Sequence, residues 1–309
     1  MDREALRHMK ILLFGANGQV GWELARSLAP LGELEAVGRP EADFEDLDRL
    51  RETVRRAAAS ILVNAAAWTA VEEAEDEPAR ALRVNAEAVA LLAEEAKASG
   101  ALLVHYSTDY VFAGEKPVAY TEDDPTGPLN AYGRSKLAGE EAIRASGCRH
   151  LVFRTSWVYA ARGKNFVRTI LRLARERTSL EVVDDQVGAP TSAELVADAT
   201  ALCLHRLRCE PSLAQRGAGT YHLAAAGETS WCRFARFVLQ EAACAGMRLA
   251  LAPEAVCAVS SRDVPQRARR PQNSRLDTAR LERTFGLRMP HWRWHAARTV
   301  RQIARQGEA

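Results

Sequence analysis

Short runs of wholly apolar residues alternate with longer stretches whose apolar positions recur every three or four residues, and this alternation organises the first half of the chain. "KILLFGANGQVG" is a buried-strand run ending in glycines, "WELARSLAPLG" has helical periodicity, and "ELEAVGRP" supplies a second short strand. The pattern then predicts helix "DLDRLRETVRRAAA", strand "SILVNAAA", helix "PARALRVNAEAVALLAEEAKASG", strand "ALLVHYST", a helix from about Asn130 to Ser146, and strand "HLVFRTSWVY". Strands that are apolar throughout and separated by helices predict a doubly wound α/β sheet, parallel and covered on both faces.

Beyond Trp157 the alternation loosens. "NFVRTILRLARE", "SAELVADATALCLHRL", "SWCRFARFVLQEAACAG" and "WRWHAARTVRQIARQ" read as helices and "GTYHLA" as a strand, whereas "SSRDVPQRARRPQNSRLDTARL" reads as extended and looped. The expected organisation is a dinucleotide-binding domain over 9–156 and a smaller, mixed lobe over 157–309. Segments near 193–207 and 219–243 are candidates to return to the sheet.

Composition changes this picture little. No apolar run approaches the roughly 20 residues needed to span a bilayer, and "MDREALRHMK" is too charged for a secretory signal, so a cytoplasmic chain is expected. Residues 1–8 precede the first apolar run and receive no role. The six cysteines lack metal-ligand spacing, so reduced, mostly packed thiols are expected and no metal is assigned. Net charge is only +2, yet residues 262–309 carry twelve arginines against four acids. That end suits a nucleotide diphosphate, an RNA backbone or an acidic subunit, or simply a solvated helix face.

Candidate chemistry clusters where strands end. Gly15, Gly18 and Gly21 lie between the first strand and first helix, where backbone amides can hold a pyrophosphate. Their spacing is GxxGxxG rather than the commoner GxGxxG, and a turn that merely packs helix on sheet is the alternative. Arg39, where an acid for a ribose is frequent, suits a 2′-phosphate and leans toward NADPH, although a surface cation would read the same way; NADH remains open. Asp43 and Phe44 are placed to contact the adenine. Ala65, Ala66 and Ala67 would let a backbone approach a ligand, and Ser107, Thr108 and Tyr110 bring hydroxyls to the same sheet edge.

Tyr132 and Lys136 complete the group. Six tyrosines and five lysines in 309 residues give roughly 0.1 chance pairs at this spacing, and i to i+4 places both on one helical face. Gly133 and Gly139 cost the helix on the order of 1 kcal/mol each relative to alanine, which implies close approach to another backbone or a cofactor. Of 42 basic residues 37 are arginine, so a lysine here suggests that a compact ammonium is wanted. A cation fixed beside a tyrosine lowers its pKa and fits it for general acid–base work.

The glycine turn, "NAAA", the strand-four hydroxyl and Tyr-x-x-x-Lys together resemble the extended short-chain dehydrogenase/reductase superfamily. "GANGQVGWEL", "VNAAAWTAVEEAE", "STDYVF", "AYGRSKLAGE", "RTSWVY", "DQVGAPTS", "YHLAAAGETSW" and "RRPQNSRLD" more closely resemble the dTDP-4-dehydrorhamnose reductase family, in its order and to about Leu281. The resemblance implies a Rossmann-type doubly wound parallel sheet with a smaller mixed C-terminal substrate lobe. It also implies NAD(P)H-dependent reduction of the C4 ketone of dTDP-4-dehydro-6-deoxy-L-mannose (dTDP-6-deoxy-L-lyxo-4-hexulose) to dTDP-L-rhamnose.

In that resemblance Tyr132 donates the proton, Lys136 holds the nicotinamide ribose, and Thr108 bonds the reacting oxygen. Asn17, Gln19 and Val20 join the glycines at the cofactor. Asp109, Tyr110, Trp157, Asn165, Gln186, Arg270 and Asn273 face the substrate, the polar ones having loop stabilisation as their alternative. The implied partner is the dTDP-sugar, with neither nucleic acid nor membrane, and the implied assembly is a monomer or homodimer. Some relatives dimerise around magnesium held by glutamates; Glu23 and Glu194 match those segments, but "HWRWHAARTVRQIARQ" offers no third carboxylate, which argues against Mg2+. Trp68 stands where tyrosine is frequent. Two rival readings remain: an epimerase or dehydratase of the same superfamily, and a non-catalytic regulatory subunit. Dehydratases need a second acid after Asp109, where Tyr110 stands, and regulatory subunits lose part of the Tyr–Lys–hydroxyl set that is whole here.

Overall fold

The computed structural model describes residues 9–307; the first eight residues, given no role above, lie outside it. Its first half runs β1 (Lys10–Phe14), α1 (Gln19–Leu28), β2 (Glu33–Val37), α2 (Leu47–Ala57), β3 (Ile61–Asn64), α3 (Val71–Asp76), α4 (Pro78–Leu82), α5 (Ala88–Ser99), β4 (Leu102–Thr108), α6 (Ala131–Ser146) and β5 (His150–Thr155). There follow β6 (Val158–Tyr159), α7 (Phe166–Glu176), β7 (Leu180–Val183), β8 (Val187–Gly188), β9 (Thr191–Ser192), α8 (Ala193–Cys209), α9 (Pro211–Arg216) and β10 (Gly219–His222). The chain ends with β11 (Thr229–Ser230), α10 (Trp231–Cys244), β12 (Val256–Val259), β13 (Asn273–Ser274), α11 (Ala279–Phe285) and α12 (Trp292–Gln306).

Six strands form one parallel sheet in the order β2-β1-β3-β4-β5-β10. Along β1 the alternate residues serve opposite cores: Ile11 and Leu13 join one cluster, Leu12 and Phe14 the other. All four are fully buried, which is why this strand reads as continuously apolar rather than alternating. The chain leaves β1 for β2 on one side and returns to β3 on the other, so a crevice opens at the carboxyl ends of β1 and β3.

The second half does not form a detached unit. Strand β10 adds to the sheet beyond β5, and α8 packs along α1 with its Thr200 hydroxyl 2.8 Å from the Tyr106 phenol. The lobe itself is built from α10 against α7 and α12, with short sheets β11-β8-β13, β12-β7 and β6-β9.

Three readings need correction. The helix expected across 78–99 is interrupted by a π-helical segment at Arg83–Glu87, where the Asn85 side chain turns out to bind Trp68 and the Asn85 carbonyl meets Gly139. The end of the stretch expected to be looped is helical, because Asp277 caps the Ala279 amide at 2.7 Å and the Thr278 hydroxyl donates to Glu282. All six cysteines are free, but only Cys148, Cys203 and Cys232 are packed; Cys209 and Cys244, at the ends of α8 and α10, and Cys257 in β12 are exposed.

Candidate functional site

At the crevice, Gly15 adopts φ +78°, and a Cβ there would stand 2.6 Å from the Ala66 amide nitrogen. A Cβ on Gly21 would overlap the Gly15 carbonyl. The glycines therefore let α1 and the turn after β3 close on the same spot. Gly18 caps α1 without a side chain, leaving its first amides available to an anion. Gly15→Ala should cost about 1–3 kcal/mol of stability and weaken dinucleotide binding, as measured by denaturation and cofactor titration; full retention of both would show that the turn tolerates a wider shape.

The hydroxyl edge and helix α6, which carries Tyr132 and Lys136, meet over β4. Asn130 caps α6 by accepting from the Gly133 amide at 2.8 Å, while Glu75 of α3 accepts from the Ala131 amide at 2.6 Å. Gly133 and Gly139 sit against the carbonyls of Tyr110 and Asn85, so the close approach inferred from sequence is to backbone. Thr108 accepts from the Tyr110 amide at 3.1 Å and donates to Asp109 at 3.2 Å, and its hydroxyl neighbours the Tyr132 phenol closely enough to oppose the rise in its pKa. Tyr110 meets the Tyr132 ring edge-on at 5.7 Å.

The charge environment differs from the sequence expectation. Lys136 Nζ donates to the Tyr106 carbonyl at 2.7 Å and stands 3.2 Å from His105 Nε2. Burial, not the lysine, governs Tyr132, whose pKa is raised. Helical spacing put the two residues on one face, but β4 captures the amine. Burial brings Lys136 down to about 8, opposed by Glu140, and pushes the Asp109 carboxyl up to about 7.

Other expected residues divide sharply. Arg39 is exposed at the end of β2, and Asn17 lies against Gly38 beside it. Asp43 accepts from the Glu45 amide at 3.0 Å, and the Phe44 ring is buried edge-on against Phe14. Val20 packs against the core, while Gln19 and Asn165 bind each other at 2.8 Å; Asn165 also caps α7 and holds the Ala160 carbonyl. Asn273 uses its amide on the Lys116 and Val118 carbonyls and its oxygen on Arg275. Asn165 and Asn273 are thus committed to loop structure.

Gln186 and Arg270 line a cleft of about 650 Å³ with Leu129, Arg262, Arg269 and Gln272. Arg270 pairs with Glu72 at 2.7 Å and lies near enough to the Tyr110 phenol to lower its pKa, which joins the cleft to the hydroxyl edge. Asn130 Nδ2 holds the Arg269 carbonyl at 2.8 Å, so one residue both caps α6 and anchors the arginine segment. Trp157, at φ +50°, stacks on Trp231 at 3.6 Å beside Gly188. Glu23 and Glu194 face guanidinium groups: Glu23 pairs with Arg26, and both Glu194 oxygens lie 3.0 Å from Arg298 Nε. Among the described residues no cluster of three or more His, Cys, Asp or Glu is arranged to hold a metal.

Sequence reasoning missed Asn64, Asn85 and His105. Asn85 holds Trp68 by both its amide and carbonyl and reaches Ser135 at 2.9 Å, clamping the β3 turn to α6. A polar residue inside an apolar strand was the available signal for Asn64 and His105; for Asn85, inside a helix, there was none.

The RmlD substrate binding domain family matches residues 9–305. A dTDP-4-dehydrorhamnose reductase of Escherichia coli K12 is 48% identical over 299 residues, covering 96% of this chain and 98% of that protein. One from Burkholderia thailandensis is also 48% identical, over 96% of this chain and 100% of that protein. The crystal structure of the Bacillus anthracis dTDP-4-dehydrorhamnose reductase in complex with NADP superposes with a TM-score of 0.83 at 31% identity, covering 94% and 98% of the two chains. The parallel sheet, the glycine crevice and this full-length likeness lead to one conclusion: the chain belongs to the dTDP-4-dehydrorhamnose reductase family.

Proposed function

We propose that this protein is an oxidoreductase that uses NADPH to reduce the C4 ketone of dTDP-4-dehydro-6-deoxy-L-mannose, giving dTDP-L-rhamnose. The observation that carries the reading is the Thr108–Tyr132 hydroxyl pair at the carboxyl end of β4, joined through Tyr110 and Arg270 to an arginine-lined cleft. The crevice fits a dinucleotide, because its glycines stand where a Cβ would strike backbone and α1 offers uncapped amides. Gly15, Gly18, Gly21 and the alanines after β3 would hold it, with Arg39 toward a 2′-phosphate. Bound there, it supplies hydride to the ketone carbon.

Every other step belongs to the chain. Tyr132 gives its proton to the ketone oxygen, and the Thr108 hydroxyl orients the phenol. Arg262 and Arg269, which have no ion pair among the described residues, suit the sugar-nucleotide diphosphate. The proposed division of labour is cofactor in 9–156 and substrate in 157–309, and all groups invoked come from one chain. No described helix is long and apolar enough to cross a membrane. A cytoplasmic setting suits free thiols and a reduced cofactor.

The protein mixed with dTDP-6-deoxy-L-lyxo-4-hexulose and NADPH should oxidise the cofactor in step with loss of the ketone, followed by absorbance. Oxidation only with a different 4-ketosugar would keep the reductase and replace its substrate.

A further inference from the structure

A line of buried groups connects the turn after β3 to the end of Lys136, and each contact has a direction. The Ala66 amide donates to Asn64 Oδ1 at 3.0 Å. With that oxygen engaged by a group that only donates, the arm of Asn64 facing His105 is its NH2, 3.1 Å from Nδ1. Nδ1 must then accept, so the single proton of the neutral ring sits on Nε2, facing Lys136 Nζ at 3.2 Å. Nζ itself donates to the Tyr106 carbonyl.

Every contact in this line pairs a donor with an acceptor when Lys136 is an amine with a free lone pair. An ammonium would instead meet an N–H. Reversing the ring tautomer only moves the donor–donor contact to Asn64, and turning the Asn64 amide moves it to Ala66. Asn64, His105 and Lys136 are at most 2% exposed, so bulk solvent does not relieve the mismatch.

We propose that Asn64 and His105 are positioning residues that pass hydrogen-bond direction from Ala66 to Lys136, favouring its amine form and making it a group that gains and loses a proton rather than a fixed cation. The other titratable groups around Lys136 are Tyr132 one turn before it and Glu140 one turn after it, the latter's carboxylate bound by Arg154 of β5. Asp109 beyond β4 and Glu75 of α3 lie toward the start of α6. Burial drives Lys136 and His105 the same way, each toward its neutral form. The consequence for turnover rests on the proposed roles of Tyr132 and Lys136: a ribose held by the ammonium is held less well as pH rises through the lysine's midpoint.

The test uses the full chain without cofactor or substrate. With only five lysines, carbon-13 labelling at the lysine ε-carbon gives five signals to follow against pH. The Lys136 signal is assigned by its loss in Lys136→Arg, or by elimination through single Arg substitutions of the other four. The Lys136 signal should titrate near 8, well below the roughly 10.4 of an unperturbed lysine. Asn64→Asp, which places an acceptor against His105 Nδ1, should raise the Lys136 midpoint by about one pH unit or more. In a His105→Phe background the same substitution should move it far less.

Lys136 titrating with the other four in the wild-type protein would overturn the proposal, whether or not the variants fold. So would an equal effect of Asn64→Asp with and without the ring, which would mean charge alone. The expected titration in a protein without reductase activity would instead remove the functional reading and leave this inference standing.

Discussion

Tyr132→Phe should lower turnover by roughly 10²-fold or more while leaving NADPH affinity nearly unchanged. The substitution removes one O–H and keeps the ring, so the edge-on contact with Tyr110 and the cap of α6 remain. On the role proposed for Tyr132, what disappears is the proton delivered to the ketone oxygen. Thr108 cannot easily replace it, because its own proton points to Asp109 and its oxygen already accepts from the Tyr110 amide. Burial keeps the phenol in its donating form throughout the neutral range, since it raises the Tyr132 pKa and so moves loss of the proton to higher pH. Single-turnover reduction, read beside a cofactor titration, separates the two quantities. Unchanged turnover would assign the proton to another group, with Asp109, near 7, the first to examine.

How much of this was legible before the fold was known follows from the range of each interaction. Strand β1 and the glycine turn were readable because apolar runs and backbone clearance are local properties of sequence. Lys136 shows the limit: periodicity placed it on the Tyr132 face, but its amine lies against His105 and the Tyr106 carbonyl of a strand some thirty residues earlier. Asn165 and Asn273 show the same limit from the other side. Each looked available to a ligand, and each is consumed by loop carbonyls that no spacing rule identifies. Position after β2 likewise said nothing of the Phe44 ring, which packs edge-on against Phe14 in the core.

Glu140→Ala should destabilise the protein by about 3–5 kcal/mol, the cost of leaving a buried charge without its partner. Glu140 is fully buried and grips Arg154 through two bonds of 2.9 and 2.7 Å. Arg154 is only 2% exposed, lies over the Phe112 ring at 5.0 Å, and already has Nη1 without a hydrogen-bond partner. Deleting the carboxylate therefore strands a guanidinium between α6 and the sheet, away from solvent and with no other ion-pair partner among the described residues. The double variant Glu140→Leu with Arg154→Met removes both charges and should recover most of the loss, because two apolar side chains of similar size can fill the same space. Urea denaturation of the single and double variants checks the difference; equal destabilisation would mean that packing, not the stranded charge, sets the cost. Because Glu140 also favours the ammonium of Lys136 one turn earlier, the double variant should titrate Lys136 below its wild-type midpoint even with the fold restored.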